Sequence, residues 1–421
     1  MRVLFLSNFY PPLQTGGYTQ LCHEVATGLQ ARGHTVRIIT SRYGLEKSRG
    51  PEENVYRVLH LDGDLKYYQP KHFFTQWRRQ QHDNLDCLQQ VIDDFRPDIL
   101  FVWGMWALSH ALPALGEALM PGRTVYYLSD HWPVAVDMHT AYWNLPAQHW
   151  YMQWPKQMLR RLALAVLSGQ AHTELRFENS ICVSAALRAN LAEQGLHVRE
   201  ARVIHGGADP ERYPEPSARD FSRRPLRLLC AGRLSAQKGV HTAVEALAKL
   251  VEWGHSGRVT LSVMGSGHPA YERKVRDLAK QAHLEEHLEF LAPVAKDRFP
   301  DMLRAFDILV FPSIYDEPFA RTPQEAMLAG LIVVGTLTGG TSELLKDGAN
   351  GLTFAAEDAE GLARQVLKLL GDPELCRTLS VNGRERVLEQ FTLSKMIAKV
   401  EAYLFEVIHA AGSAQVAGNA H

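Results

Sequence analysis

Short apolar runs alternate with segments of helical spacing along most of the chain. Near the amino terminus, Val3–Ser7 has the length and composition of a buried strand. Apolar residues then recur at helical spacing over Tyr18–Ala31, and Val36–Thr40 is a second run of strand length. A strand, a helix and a strand at this spacing predict a βαβ unit, whose crossover connection is right-handed.

The alternation continues through both halves of the chain. In the first half it predicts strands at Ile99–Trp103, Thr124–Leu128, Ile181–Val183 and Arg202–His205. In the second half it predicts strands at Arg227–Ala231, Thr260–Met264, Leu288–Leu291, Ile308–Phe311 and Leu331–Val334. The helices between these later strands are predicted at His241–Trp253, Tyr271–His283, Asp301–Ala305 and Gln324–Ala329. This order is typical of doubly wound α/β domains with parallel sheets.

The length of the chain favours two such domains, because 421 residues exceed what one compact core usually holds. We predict a first Rossmann-like domain over 1–210 and a second over 211–392. The segment Asp209–Pro225, which is rich in proline and arginine, is the predicted linker. A helical tail at 393–412 follows and has no strand partner.

Composition narrows the classes of function. The chain is 46% hydrophobic and 22% charged, which favours a soluble globular protein, and a net charge of −1 argues against a general nucleic-acid binder. Five scattered cysteines without a C-x-x-C pair favour a reduced, cytoplasmic setting and argue against a cysteine zinc site. The apolar start Met1–Leu6 is too short for a signal peptide, and no run approaches the length of a membrane span.

Two carboxylates follow the strand predicted at Ile308–Phe311. Glu317 and Glu325 are separated by seven residues in the segment Y-D-E-P-F-A-R-T-P-Q-E-A-M-L-A-G. We place Glu317 in a loop and Glu325 on the first turn of the next helix, at the strand end where open α/β sheets bind ligands. The structural alternative is that Thr322–Glu325 is a capping box with proline at the first helical position.

Two cations follow the strand predicted at Arg227–Ala231. Arg233 and Lys238 lie five positions apart in a loop that opens a helix. The free amides and dipole of a helix amino terminus attract phosphate, and the two cations supply the countercharge. The loop therefore predicts a phosphate site, with a solvated turn capped by Ser235 as the alternative.

Three glycine-containing loops also follow predicted strands. Gly339–Glu343 has the successive amides of an anion nest, with a flexible turn capped by threonine or serine as the alternative. Gly265–Gly267 alone is a weak signal of a functional loop, because Gly-x-Gly occurs in many turns. Pro11–Gly17 precedes the first helix, and its glycines alternatively serve only the conformation of the loop.

The stretch His139–Arg161 is rich in aromatic residues and ends in three cations. Aromatic faces stack on sugar rings or lie at a bilayer interface. The stretch predicts either acceptor binding or contact with a membrane surface, and ordinary interior packing is the alternative. Its aromatic and cationic residues are Tyr142, Trp143, Trp150, Tyr151, Trp154, Lys156, Arg160 and Arg161.

In their order along the chain, these motifs resemble those of retaining nucleotide-sugar glycosyltransferases of family 4. Glu317 and Glu325 resemble the family's Glu-x7-Glu signature, and Arg233 with Lys238 resembles its G-R-L-x-x-x-K-G motif. The resemblance runs from the amino-terminal loop to Thr353. The other matching segments are Gly16-Gly17, Asp130-His131, Val183-Ser184, Ile204–Pro210, Gly265–Gly267 and Gly339–Glu343.

The resemblance implies a GT-B fold, in which two Rossmann-like domains face a cleft and the carboxyl-terminal helix crosses back to the first domain. It implies a cytoplasmic enzyme, with membrane association left open. Such an enzyme moves a sugar from a nucleoside-diphosphate sugar of UDP, GDP or ADP type to a hydroxyl of a glycan, lipid or small molecule. No metal or other cofactor is implied.

The resemblance also implies roles for single residues. Arg233 and Lys238 neutralise the leaving diphosphate, and electrostatic stabilisation of that group is the core of the rate enhancement. Glu317 orients the donor sugar, His131 faces it from the first domain, and Glu325 accepts hydrogen bonds from the ribose hydroxyls. The remaining implied donor contacts are Gly16, Gly17, Gly265, Val294, Phe319, Ala320, Arg321 and Thr322.

The sequence departs from the family at three positions of this loop. Pro318 and Ala320 stand where glycine is usual, and Arg321 stands where a small or apolar residue is usual. Each departure narrows or reshapes the expected donor pocket. Arg321 either recognises an anionic donor or acceptor, or points to solvent.

Other polar groups favour structural interpretations. Asp62-Gly63-Asp64 matches the D-x-D metal motif of the unrelated GT-A fold, but turn chemistry explains it better. His131, Asp137 and His139 lack the helical pair of histidines that a zinc site would offer.

Three rival functions remain. They are a nucleotide-sugar epimerase on the same fold, a Rossmann oxidoreductase, and a catalytically silent nucleotide-sugar binding protein. The oxidoreductase lacks its G-x-G-x-x-G loop in Ser7–Gly17. Donor hydrolysis or transfer separates the silent protein from an enzyme.

Overall fold

The computed structural model describes residues 1–13, 16–44, 53–65, 67–147, 149–168, 174–214 and 219–418. The chain divides into two compact units: unit 1 is Met1–Ile204 with Ile397–His421, and unit 2 is His205–Met396. The division thus follows residue 204 instead of 210, and the chain rejoins unit 1 at 397 instead of 393. Gln14 and Thr15 of the first glycine loop, and residues 215–218 of the predicted linker, lie outside the described residues.

Unit 1 is built on a sheet of seven strands that pair in parallel. The strands are β1 (Arg2–Ser7), β2 (Thr35–Ser41), β3 (Val55–Leu59), β4 (Ile99–Val102), β5 (Thr124–Leu128), β6 (Asn179–Cys182) and β7 (Arg202–Val203). Their order in the sheet is β3-β2-β1-β4-β5-β6-β7. All residues of β4 and β5 are buried, as expected for parallel strands covered on both faces.

The helices of unit 1 connect these strands. The π-helical segment Phe73–Trp77 joins α2 to α3 without a break. The helices are α1 (Gly17–Ala31), α2 (Pro70–His72), α3 (Arg78–Phe95), α4 (Ala111–Leu119), α5 (Met138–Asn144), α6 (Gln153–Ser168) and α7 (Ala185–Glu193).

Unit 2 repeats the architecture with a parallel sheet of six strands. The strands are β8 (Leu226–Ala231), β9 (Val259–Met264), β10 (Leu288–Leu291), β11 (Ile308–Phe311), β12 (Ile332–Gly335) and β13 (Leu352–Thr353), in the order β10-β9-β8-β11-β12-β13. The helices are α8 (Val240–Glu252), α9 (Pro269–Gln281), α10 (Phe299–Leu303), α11 (Arg321–Leu328), α12 (Thr341–Leu344), α13 (Ala359–Gly371) and α14 (Pro373–Gln390).

The last helix, α15 (Leu393–Gly418), begins in unit 2 and continues in unit 1. Its Glu401 carboxylate lies 2.7 Å from the Arg32 guanidinium and 2.6 Å from His34 Nε2. Ile397 covers Gly28 of α1 so closely that a Cβ at Gly28 would overlap its side chain. These contacts attach the tail to the first sheet's helices without adding a strand. No helix of the described ranges is long and apolar enough to cross a membrane.

Each sheet has one point where the chain reverses the direction in which it adds strands. In unit 1 this point lies between β1 and β4, and in unit 2 it lies between β8 and β11. The loops at the carboxyl ends of two such neighbours lead to opposite sides of the sheet and leave a crevice where ligands bind in open α/β folds. The candidate sites are therefore placed by strand order.

The D-x-D at Asp62–Asp64 has a structural role in unit 1. Asp62 is buried, and its Oδ1 accepts hydrogen bonds from Trp77 Nε1 at 3.0 Å and Gln81 Nε2 at 2.5 Å. Burial raises the pKa of the carboxyl from its ordinary 3.8 to about 7, against the opposing effect of these bonds. The motif fixes the start of α3 against the loop after β3.

We expect an Asp62→Asn variant to become more stable relative to the wild type as the pH rises. The folded state binds the Asp62 proton more tightly than the unfolded state, so the carboxyl favours folding most below its ordinary pKa. That contribution disappears as the pH rises through about 7. Urea denaturation between about pH 5 and about pH 8 measures the difference, and parallel profiles for the two proteins would contradict it.

His139 also belongs to the interior of unit 1. Its Nδ1 lies 2.9 Å from the Tyr68 hydroxyl, its ring packs 4.5 Å from that of Trp77, and burial lowers its pKa to about 4. Asp137 caps α5 by accepting from the backbone amides of His139 and Thr140. Within the described ranges, no group of three or more histidine, cysteine or acidic side chains is arranged to hold a metal ion.

Candidate active site

The predicted donor residues of unit 2 gather at the crevice between β8 and β11. The loop after β8 carries Arg233 and Lys238, and the loop after β11 carries Glu317. Two of the strands predicted from sequence therefore become neighbours at the reversal point, although they are far apart along the chain. This placement brings a cationic loop and a carboxylate loop to one edge of the sheet.

The two loops are joined through their backbones. The Gln237 carbonyl accepts from the Ile314 amide at 2.9 Å and from the Tyr315 amide at 3.1 Å. Gly239, which has a φ of 64°, lies against the Pro312 carbonyl so closely that a Cβ would overlap it. These contacts fix Lys238, which lies between Gln237 and Gly239, relative to the strand end of β11.

Lys238 and Glu317 form an ion pair at this junction. The Lys238 ammonium donates to Glu317 Oε1, and the Ser313 hydroxyl donates to the same oxygen at 2.6 Å. The Glu317 side chain is 6% exposed and that of Lys238 is 34% exposed. A buried carboxylate with two donors satisfies the requirement that buried charge be paired, and the lysine remains accessible from solvent. Arg233, in the same loop, is exposed.

The glycine pair Gly339-Gly340 packs on the Glu317 segment. The Gly340 amide donates to the Glu317 carbonyl at 2.7 Å, and Gly339 has a φ of 52° with no room for a Cβ beside that carbonyl. The N-cap of α12 is Gly340, without a side-chain hydrogen bond, so the alternative of a threonine or serine cap is wrong. One amide of the predicted anion nest is thus engaged with Glu317.

The helix that carries Glu325 begins earlier than predicted. Its N-cap is Ala320, no side chain caps it, and α11 starts at Arg321, so the capping-box alternative for Thr322–Glu325 is wrong. Pro323 lies in the first turn but not at the first helical position, and its missing N–H costs no helical bond there. Glu325 consequently lies in the second turn, not the first.

Arg321 does not point to solvent. Its side chain is 11% exposed, and its Nη2 lies 3.7 Å from Glu325 Oε1, four residues further along α11. Glu325 itself is buried, with 7% of its side chain exposed. The residue that departs from the family pattern therefore lies beside the carboxylate predicted to bind the ribose, and Thr322 is half-buried on the same turn.

An aromatic and ionic cluster supports the loop after β11. Phe319 is buried, with its ring 4.8 Å from that of His205 and 5.3 Å from that of Phe391. His205 Nε2 lies 2.7 Å from Glu343 Oε2. The sequence did not single out His205 or Ser313. Ser313 had a weak signal, since it is a small polar residue two positions after the end of a buried strand.

Gly265 lies at the end of β9 and meets the loop after β8. It has a φ of 142°, and a Cβ there would overlap the Gly232 carbonyl oxygen. Glycine at this position therefore allows the backbones of the two loops to lie in close contact, whether or not a nucleotide also binds there. Val294 lies half-buried in the loop after β10.

We expect Gly265→Ala to lower the free energy of unfolding by more than about 2 kcal/mol, because both the backbone conformation and the carbonyl contact become strained. Gly254→Ala is the control: its φ is 82° but no atom lies within 4 Å of its Cβ, so only the conformational cost of about 1 kcal/mol applies. Chemical denaturation of both variants measures the difference. Equal losses would contradict the close approach at Gly265.

The remaining predicted residues lie in unit 1. Gly16 is the N-cap of α1 and Gly17 its first residue, after the strand β1 at the reversal point. His131 follows β5 and is the N-cap of the short 3-10 turn Trp132–Val134. Asp130, just before it, accepts from the Trp132 amide at 2.8 Å, and burial raises its pKa. Both segments thus lie at the carboxyl edge of the first sheet.

Known protein families and relatives match most of the length of the chain. A family model described as Glycosyltransferase Family 4 matches residues 15–212, and one described as Glycosyl transferases group 1 matches residues 215–386. Glycogen synthase of Mycobacterium tuberculosis is 28% identical over 404 residues, which cover 93% of this chain and 91% of that protein. The two family models together match residues in both units.

Solved structures agree on the fold. Sucrose-phosphate synthase from Thermosynechococcus elongatus aligns with a TM-score of 0.72 at 19% identity, over 97% of this chain and 99% of that chain. The Anabaena HepE protein, solved in complex with UDP, aligns with a TM-score of 0.67 at 19% identity, over 96% of this chain and 100% of that chain. With the two parallel sheets, these likenesses confirm the predicted fold class.

Proposed function

Because the chain belongs to the family-4 glycosyltransferases of the GT-B fold, we propose that it moves a sugar from a nucleoside-diphosphate sugar to a hydroxyl acceptor, with retention and without a metal ion. The observation that carries the proposal is the pairing of Lys238 with Glu317 at the β8–β11 crevice. The pairing supports the proposal because a cation suited to a diphosphate and a carboxylate suited to sugar hydroxyls lie side by side. Complexes of the Anabaena protein with UDP and UDP-glucose support a donor of this class.

Lys238 and Arg233 stabilise the leaving group. An ammonium has three donors, and Glu317 uses one of those of Lys238, so others are available for diphosphate oxygens. As the bond between the sugar's anomeric carbon and the diphosphate breaks, negative charge grows on the phosphate oxygens. Fixed cations aimed at that charge lower the barrier because they need no reorganisation during the reaction.

Glu317 and Glu325 orient the two ends of the donor. Glu317 is held by Ser313 and Lys238, and its second oxygen is available to accept from sugar hydroxyls. Glu325 accepts from the ribose hydroxyls, and the Arg321 guanidinium lies 3.7 Å from its carboxylate. Both acids therefore act as acceptors of hydrogen bonds, and each lies beside a cation, Lys238 for Glu317 and Arg321 for Glu325.

Retention follows from attack on the face that the leaving group vacates. The acceptor oxygen bonds to the anomeric carbon while its proton passes to the departing phosphate oxygen, so no enzyme carboxylate needs to form a covalent intermediate. Metal independence follows from the charge of Arg233 and Lys238, which performs the role of a divalent cation. In the D-x-D at Asp62–Asp64, the Asp62 carboxylate is already engaged by Trp77 and Gln81 in the packing of unit 1.

The experiment is turnover of nucleotide sugars by the purified full-length protein. We expect release of one nucleoside diphosphate from its matching sugar donor, at the same rate with and without EDTA. The anomeric configuration of the transferred sugar, read by proton NMR, should match that of the donor. An EDTA-sensitive rate contradicts metal independence, an inverted product contradicts retention, and no release from any donor favours a silent binding protein.

A further inference from the structure

Large apolar side chains are exposed together on one segment of unit 1. Trp150 and Trp154 are 87% and 77% exposed. A monomeric protein rarely leaves so many large apolar groups in one place unless they contact a partner or a membrane. We call the set the tryptophan surface, and its members are Leu145, Trp150, Tyr151, Met152, Trp154, Met158, Leu159 and Leu162.

Helical periodicity aligns three members of this surface into one stripe. Trp154, Met158 and Leu162 follow each other at intervals of four residues on α6, so they lie on the same side of the helix. The opposite side of α6 is attached to unit 1. There Ala163 is fully buried against Phe73, Trp77 and Trp143.

The attachment of α6 makes the exposed stripe a feature of the folded unit. The Arg160 guanidinium donates to the Trp143 carbonyl at 3.1 Å and to Asn144 Oδ1 at 2.8 Å. The Lys156 ammonium lies 3.9 Å from the centre of the Tyr142 ring. The helix therefore lies along the surface of unit 1 with one face packed and the other exposed.

The charged residues of this segment have one sign. The segment from Met138 to Ser168 contains three lysines and arginines and no aspartate or glutamate. Arg161 is exposed and lies three residues after Met158, next to the stripe. The exposed Arg78 reaches the same helix, since it donates to the Val166 carbonyl at 3.3 Å. An apolar face with cations beside it is complementary to an anionic lipid surface.

We propose that the tryptophan surface docks unit 1 on anionic bilayers, with α6 lying in the plane of the interface. The indole rings of Trp150 and Trp154 insert at the level of the headgroups, where tryptophan is favoured because it is apolar with one polar N–H. Arg161 binds lipid phosphates. With 16 residues and cations within it, α6 fits an interfacial helix rather than a membrane span.

Vesicle flotation of the full-length protein, without nucleotide, tests the docking. We expect binding to vesicles that contain phosphatidylglycerol, and at least about tenfold weaker binding to phosphatidylcholine alone. The double variant Trp150→Ser/Trp154→Ser should bind each kind of vesicle more than about tenfold more weakly than the wild type does. Arg161→Glu should weaken only the binding to anionic vesicles. Trp253→Ser, which removes an exposed tryptophan of unit 2, is the control and should bind like the wild type.

Quenching of wild-type tryptophan fluorescence by brominated lipids is the second measurement, and it does not depend on the folding of any variant. Absence of binding to every vesicle, absence of quenching, or equal binding by the double variant would each overturn the proposal. So would lipid-free self-association of the wild type that the double variant loses, since the surface would then pair two copies of the chain. Because the assays contain no donor, their failure is independent of the proposed transfer reaction.

Discussion

Replacing Lys238 by alanine will lower kcat/KM for sugar transfer by about 100- to 1,000-fold. The substitution removes one fixed donor aimed at the charge of the leaving diphosphate, and losses of this size are typical when such a donor is deleted. It also removes one of the two donors of Glu317, while Ser313 retains its hydrogen bond to that carboxylate. Initial rates with the matching donor, measured on folded protein, give the result.

Lys249→Ala is the matched control for this variant. The Lys249 side chain is 37% exposed, against 34% for Lys238, and it pairs with Glu360 at 3.9 Å on the outer helices of unit 2. It removes the same charge from the same unit at a distance from the crevice, so transfer should stay near the wild-type rate. A Lys238→Ala enzyme as active as Lys249→Ala would exclude Lys238 from diphosphate binding.

Replacing Glu325 by glutamine will weaken nucleotide binding by roughly tenfold to 100-fold. A hydrogen bond to an ionised acceptor contributes about 1.5–3 kcal/mol, and glutamine keeps the shape while removing the charge. Helix capping cannot account for such a loss, because α11 begins at Arg321 and Glu325 lies beyond the first turn. Stability will also fall, since Arg321 loses this carboxylate as a neighbour. Titration calorimetry well below the unfolding temperature separates the two effects.

Glu360→Gln provides the comparison for Glu325→Gln. Glu360 also pairs with an arginine four residues away on its own helix, Arg364 on α13, but at the surface. Loss of that pair should leave nucleotide affinity unchanged. If Glu325→Gln bound nucleotide as tightly as Glu360→Gln while unfolding more easily, its carboxylate would have a purely structural role.

Most strands could be predicted from sequence, but β3 (Val55–Leu59) and β13 (Leu352–Thr353) were not predicted. Ile308–Phe311 has the predicted bounds because a buried parallel strand is a continuous apolar run, and Leu288–Leu291 also has them although Glu289 within it is exposed. Helix starts were harder. The proline at 323 is compatible with any position of a first turn, because none of those amides has a helical partner, so the pattern could not place the start at Arg321.

The sequence alone could not predict which residues far apart along the chain form pairs. Lys238 and Glu317 are 79 residues apart, and they meet only because the strand order places β8 beside β11. His205 and Glu343, which are separated by 138 residues, also form a pair. The strand-end argument predicted which loops would carry the site, whereas the identity of each partner required the order of the strands.

The sequence also could not predict which side chains of the aromatic stretch are exposed to solvent. Trp143 is 1% exposed and Trp154 is 77% exposed, although both belong to one run of aromatic residues. Residue type alone could not separate packing from a docking surface. The position of α6, with Ala163 packed inward, decides which of these aromatic residues face outward.

Binding of UDP, GDP, ADP and dTDP, measured as a thermal shift with and without EDTA, tests the central claim most directly. We predict that one nucleotide raises the unfolding temperature selectively, that EDTA leaves the shift unchanged, and that the Lys238→Ala variant loses most of it. A shift that EDTA abolishes would contradict a metal-independent diphosphate site. No shift with any nucleotide would contradict a diphosphate site at Arg233 and Lys238 altogether.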